Sequence, residues 1–121
     1  MHITIPLVPV TKKNHNQIIH CKGRPLVIPS KQFKQYEKDC RFFIEQIPFT
    51  TYDCPVNVKC EYYMPTRRRV DLVNLQEATL DVLVKYGVIL DDNCNIVASM
   101  DGSRVLYDKE NPRTEIEIEV L

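Results

Sequence analysis

The sequence predicts an α+β fold, one small domain spanning residues 1–121 with two main helices packed on a mixed sheet. Three observations carry that prediction. Residues 31–47 and 72–86 place apolar side chains at spacings of three and four, the helical period. Residues 56–64 and 114–120 alternate apolar with polar, the strand period. A chain of 121 residues also has room for one core but not for two.

In chain order, residues 2–8 read as a short strand, with Pro6 marking an edge or a bend. Residues 10–15 form a basic loop. Residues 17–20 and 25–28 flank Lys22-Gly23-Arg24 as a hairpin with a basic tip. Ser30 suits the N-cap of the first helix, which buries Phe33, Tyr36, Cys40, Phe43, Ile44 and Ile47 and ends before Pro48. Lys34, Lys38 and Arg41 lie on its opposite, solvated face. Val56, Val58, Cys60, Tyr62 and Met64 form one face of the next strand, and Pro65 opens a connection with three consecutive arginines. The second helix stops at Gly87, and the apolar run Val88-Ile89-Leu90 is closed by Asp91-Asp92-Asn93. Residues 96–100 and 103–107 are strand-like around Asp101-Gly102, a hairpin signal, with one long bulged strand as the alternative. The tail from 114 to 120 has one face to bury and one acidic face.

Composition narrows the function. At 44% hydrophobic and 26% charged residues the chain is neither disordered, collagenous nor a coiled coil. No apolar run reaches the roughly 18 residues of a membrane span, and residue 1 onward lacks the pattern of a secretion signal. Membrane partners are therefore not expected. The five cysteines, Cys21, Cys40, Cys54, Cys60 and Cys94, are odd in number and contain no Cys-x-x-Cys pair, which fits reduced thiols in a cytoplasmic compartment. His15, His20 and Cys21 match no common zinc spacing and lack a fourth ligand. A net charge of zero argues, taken alone, against a nucleic-acid partner. It is a sum of opposites: residues 1–70 hold twelve basic and five acidic side chains, residues 71–121 four basic and eleven acidic. One half suits a polyanion, the other suits metal ions.

On a wheel of about 100° per residue, Leu72, Leu75, Thr79, Val82, Leu83 and Tyr86 form the core face of the second helix. Asp71, Asn74, Glu77, Asp81 and Lys85 fall on a separate stripe, in which three carboxylates repel one another. Val73, Leu80 and Val84 make a further apolar stripe that needs cover from another element or a second subunit. A hard cation such as Mg²⁺ takes oxygen ligands, and Asp71 with Asp91 or Asp92 supplies them, completed by Glu77 or Asp81. Beside Arg67, Arg68 and Arg69 such a site has the chemistry for phosphodiester hydrolysis.

The run Arg67-Arg68-Arg69-Val70-Asp71-Leu72-Val73-Asn74, then Glu77, Asp81 and Gly87-Val88-Ile89-Leu90-Asp91-Asp92, resembles the RusA family of Holliday junction resolvases. That family carries a basic run, Asp-x-Asp-Asn-x-x-Lys-x-x-x-Asp on a helix, then Gly-Val and Asp-Asp. Pro9 and Asn14 resemble its early Pro-rich segment. The similarity spans nearly the whole chain, its specific part lying within residues 67–92. It implies a RusA-like fold and a homodimeric, Mg²⁺-dependent endodeoxyribonuclease, Mn²⁺ being a possible substitute, that resolves four-way DNA junctions by symmetric nicking. It also implies a bacterial or phage-encoded cytoplasmic protein. Carried over by position, Asp71, Asp91 and Asp92 are catalytic and metal-binding, with Asp81 a further metal ligand and Asn74 the motif asparagine.

Two positions depart from the pattern. Val73 stands where the family has its second aspartate, and Glu77 where it has lysine. Positions 71, 73, 77 and 81 nevertheless keep three carboxylates, so the expectation is that Glu77 supplies the missing oxygen and joins the catalytic set. The alternative is a module that binds branched DNA with little or no cleavage. The DNA contacts are expected from Arg67, Arg68, Arg69, Lys12, Lys13, Asn14 and Asn74. Phosphate contacts position DNA without reading bases, so recognition should rest on shape.

Overall fold

The alternation of Val56, Val58, Cys60 and Tyr62, each at most 1% exposed, makes the strand they belong to the spine of the molecule. In the computed structural model, which describes residues 1–12, 17–28 and 31–121, the elements are β1 (His2–Ile5), β2 (Gln17–Cys21), β3 (Arg24–Ile28), α1 (Lys31–Glu45), β4 (Val56–Met64), α2 (Leu72–Lys85), β5 (Val97–Ser99), β6 (Arg104–Tyr107) and β7 (Arg113–Val120). The main sheet runs β1-β7-β4, with β5 and β6 following one another along the far edge of β4. β4 pairs antiparallel with β7 and parallel with β5 and β6, so the sheet is mixed. β2 and β3 form a separate hairpin. Its tip, Lys22 at φ 52° and Gly23 at φ 76°, has the paired positive dihedrals of a primed two-residue turn.

The predicted α+β architecture holds, and its boundaries differ for local reasons. β1 ends at Ile5 because Pro6 has no N–H to donate and Leu7 N turns back onto Ile5 O at 2.8 Å. The hairpin expected around Asp101-Gly102 is not formed. β5 and β6 do not pair with each other; both run parallel to β4, which is the bulged-strand alternative. Asn57 Oδ1 accepts from Ser99 Oγ at 2.6 Å and from Asp101 N at 2.8 Å, and Cys60 N donates to Ser103 Oγ at 3.0 Å. These side-chain bonds replace the ladder where residues 100–103 loop out. Gly102, at φ 87°, makes the excursion possible.

Both helices bury one face against one side of the sheet. α1 contributes Phe33, Tyr36, Cys40 and Ile44, and α2 contributes Leu75, Ala78, Thr79, Val82 and Leu83. Leu80 and Val84 also pack against this core, so the extra apolar stripe of α2 is covered largely from within the chain. Val73 alone remains outside, 63% exposed. Within the core Thr79 Oγ1 donates to Leu75 O at 3.0 Å, which leaves the Tyr62 hydroxyl to donate to Thr79 Oγ1 at 2.7 Å and tie β4 to α2. The opposite face of the sheet is polar, with Lys59 of β4 paired across to Glu117 of β7, and with Lys59–Glu61 and Arg113–Glu115 paired along their own strands. Cys40 and Cys60 are buried thiols, and burial pushes each up to about 12, so neither is a nucleophile at neutral pH.

Candidate active site

The candidate residues lie at the two ends of α2 and along its polar stripe. At its start Asp71 is the N-cap, extended at φ −86° and ψ 115°, with its carboxylate accepting from Val73 N at 3.0 Å. The cap fixes the carboxylate at the end of the basic connection, where Arg67, Arg68 and Arg69 are all exposed. Among the described residues none of these three arginines is paired with a carboxylate. Arg67 instead lies over the Tyr107 ring, 4.2 Å from its centroid.

At the other end, Tyr86 N and Gly87 N bond back to Val82 O and Val84 O, and Gly87 adopts φ 75°. Val88 and Ile89 then drop into the core, and Tyr52 bridges them, donating to Val88 O and accepting from Leu90 N. That clamp delivers Asp91 and Asp92 to the surface. Asp91 engages both oxygens locally, accepting from Asp92 N at 2.7 Å and Asn93 Nδ2 at 2.9 Å. Partial desolvation, a hydrogen bond with Asp91, and the charges of Asp91 and Asp81 push the Asp92 carboxyl above its ordinary value.

Along α2 the polar stripe is not left to repel itself. Lys12 reaches from the segment after β1 and donates to Asp81 Oδ2 at 2.9 Å. That bond, opposed by a smaller desolvation effect and aided by the charges of Asp81, Glu77 and Glu37, holds the ammonium above the usual lysine value. Lys85 pairs with Glu37 of α1. Glu77 and Asn74 are half-buried. Lys12 was expected on phosphate and is found on Asp81. Lys13 and Asn14 lie outside the described residues.

Among the described residues no three His, Cys, Asp or Glu side chains form a ready-made metal cluster. The donor chemistry still suits a hard cation, because every candidate offers carboxylate oxygen and Mg²⁺ usually takes one or two carboxylates with phosphates and waters. The sequence reading did not single out Tyr107 or the Lys12–Asp81 pair. No sequence signal marks either, since both arise from tertiary placement.

Comparison with known proteins identifies the family. The family described as Endodeoxyribonuclease RusA matches residues 6–119. A crossover junction endodeoxyribonuclease RusA of Enterobacteria phage 82 is 36% identical over 92 residues, covering 75% of this chain and 72% of the relative. The enzyme of the same name from Escherichia coli K12 is 36% identical over 91 residues, 74% of this chain and 72% of its own. That from Shigella sonnei Ss046 is 35% identical over the same shares. The match spans the basic run, the carboxylate helix and the acidic turn, and the chain belongs to the RusA family of endodeoxyribonucleases.

Proposed function

We propose that this protein is a structure-selective endodeoxyribonuclease that resolves four-way DNA junctions by symmetric nicking, using Mg²⁺ or Mn²⁺ and acting as a homodimer in the cytoplasm of a bacterium or phage-infected cell. The observation that carries the reading is the capped Asp71 carboxylate at the end of a run of three exposed arginines, none of which is paired with a carboxylate among the described residues. Asp71 would hold the metal together with Asp91 or Asp92 of the acidic turn, where the two Asp91 oxygens also accept bonds from Asp92 N and Asn93 Nδ2. When bound, the metal supplies Lewis acidity and an activated water. Arg67, Arg68 and Arg69 bind the phosphates on either side of the cut and set the DNA backbone against Asp71. Glu77, whose charge acts on Lys12, would serve as the extra oxygen donor on this stripe.

A second reading, a junction-binding module that does not cut, is favoured by Val73, an apolar side chain 63% exposed where the family has aspartate. Incubation of a labelled four-way junction with the protein in Mg²⁺, Mn²⁺ or EDTA separates the two. Paired nicks in metal alone support the nuclease; salt-sensitive binding without nicks in any condition supports the module. Absence of junction affinity even at low salt would remove both.

A further inference from the structure

We propose that Arg67 and Tyr107 form a stacking platform for an unpaired nucleobase of branched DNA, at the outer edge of the sheet. The inference rests on the DNA-directed function above and adds a subsite to it. Among the described residues β6 pairs with β4 alone, so its other edge carries no strand. Tyr107 aligns with Met64, a core-packed residue, and Val105 with buried Tyr62, so both lie on the helix-bearing side of the sheet. Neither is fully covered: Tyr107 is 40% and Val105 37% exposed, with Arg67 resting on one face of the tyrosine ring. The Arg67 guanidinium lies over the Tyr107 ring at 4.2 Å, and a groove of about 370 Å³ runs between Thr66, Arg67 and Arg68 on one wall and Val105, Leu106 and Tyr107 on the other.

The two walls ask for one kind of occupant. The arginine wall attracts phosphate, and the aromatic and apolar wall attracts a flat ring. A nucleotide carries both, and base stacking on an aromatic or guanidinium plane needs no particular sequence. In plain duplex every base face is stacked on its neighbours, whereas at the branch point of a junction the continuous stack is broken, so extruding a base there costs less unstacking energy. The platform therefore favours branched over plain duplex DNA. Arg67 lies in the connection that leads to the Asp71 cap, so a base held there would register the strand against the candidate catalytic carboxylate.

Anisotropy titrations of wild type, Tyr107→Ala, Tyr107→Phe and Arg67→Ala with a four-way junction and a duplex of the same sequence test this, in Ca²⁺ and at several salt concentrations. A thermal melt checks that each variant is folded. Tyr107→Ala should lose about tenfold in junction affinity with less than about twofold on duplex and an unchanged salt slope, while Tyr107→Phe stays near wild type. Arg67→Ala should also lower the salt slope by about one. Equal junction affinity of Tyr107→Ala and wild type, or equal losses on junction and duplex, would overturn the platform and leave the proposed function standing. If wild type itself shows no preference for the junction, the proposed function fails instead. The platform is then decided on a single-stranded oligonucleotide: a loss with Tyr107→Ala supports it, and no loss overturns it.

Discussion

Lys12 and Asp81, sixty-nine residues apart, meet at 2.9 Å and bring the segment after β1 onto the polar stripe of α2. The pair is about one-third exposed on each side, so it holds position more than it stabilises. Lys12→Met should change stability by less than about 1 kcal/mol in urea unfolding, while a double-mutant cycle with Asp81→Asn should detect coupling of a few tenths of a kcal/mol or more. A loss above 2 kcal/mol would show that the contact is structural.

Gly87 lets the chain turn from α2 into the clamp that presents Asp91 and Asp92. At φ 75° an alanine is strained, although its Cβ would meet only Thr51 Oγ1 at 3.9 Å. Gly87→Ala should therefore destabilise by about 1–2 kcal/mol from backbone strain alone. Cleavage at saturating metal should fall more than stability does, because the acidic turn shifts.

Tyr62→Phe isolates the buried hydroxyl pair. Thr79 keeps its bond to Leu75 O, so nothing is left with an unmet donor, and the loss should be about 1 kcal/mol by thermal or chemical unfolding.

One residue of the polar sheet face, Glu115, gives a pH signature. Burial pushes the Glu115 carboxyl up, but bonds from Thr4, His2 and Arg113 outweigh it and hold the group below its ordinary value of 4.5. A carboxyl depressed in the folded state contributes stability that is present above its unfolded pKa and lost as pH falls through the folded one. Glu115→Gln should accordingly flatten the acid limb of the melting temperature below about pH 5 and leave its slope at neutral pH unchanged.

How much of this was legible in the sequence depends on the range of the cause. β4 and α2 were readable because Val56 to Tyr62 alternate and Leu75, Thr79, Val82 and Leu83 recur at helical spacing, both local signals. Asp101-Gly102 misled because a positive-φ glycine serves a hairpin and a bulge equally. The choice fell to Asn57 and Ser103 bonding across to β4 and the looped-out segment, a non-local contact. In the site, Asp71, the arginine run and Asp91-Asp92 were visible as a spaced motif. The Lys12–Asp81 bond and the Arg67–Tyr107 stack were not, because nothing in the local pattern of either residue specifies a partner so distant in the chain.

The central claim is that Asp71 is a chemical group and not only a helix cap. Asparagine caps a helix as well as aspartate does, so Asp71→Asn should preserve the bond to Val73 N and leave the melting temperature close to wild type. Its rate of Mg²⁺-dependent nicking of a labelled four-way junction should fall by at least about a hundredfold while junction affinity persists. Nicking by Asp71→Asn at the wild-type rate would contradict the account.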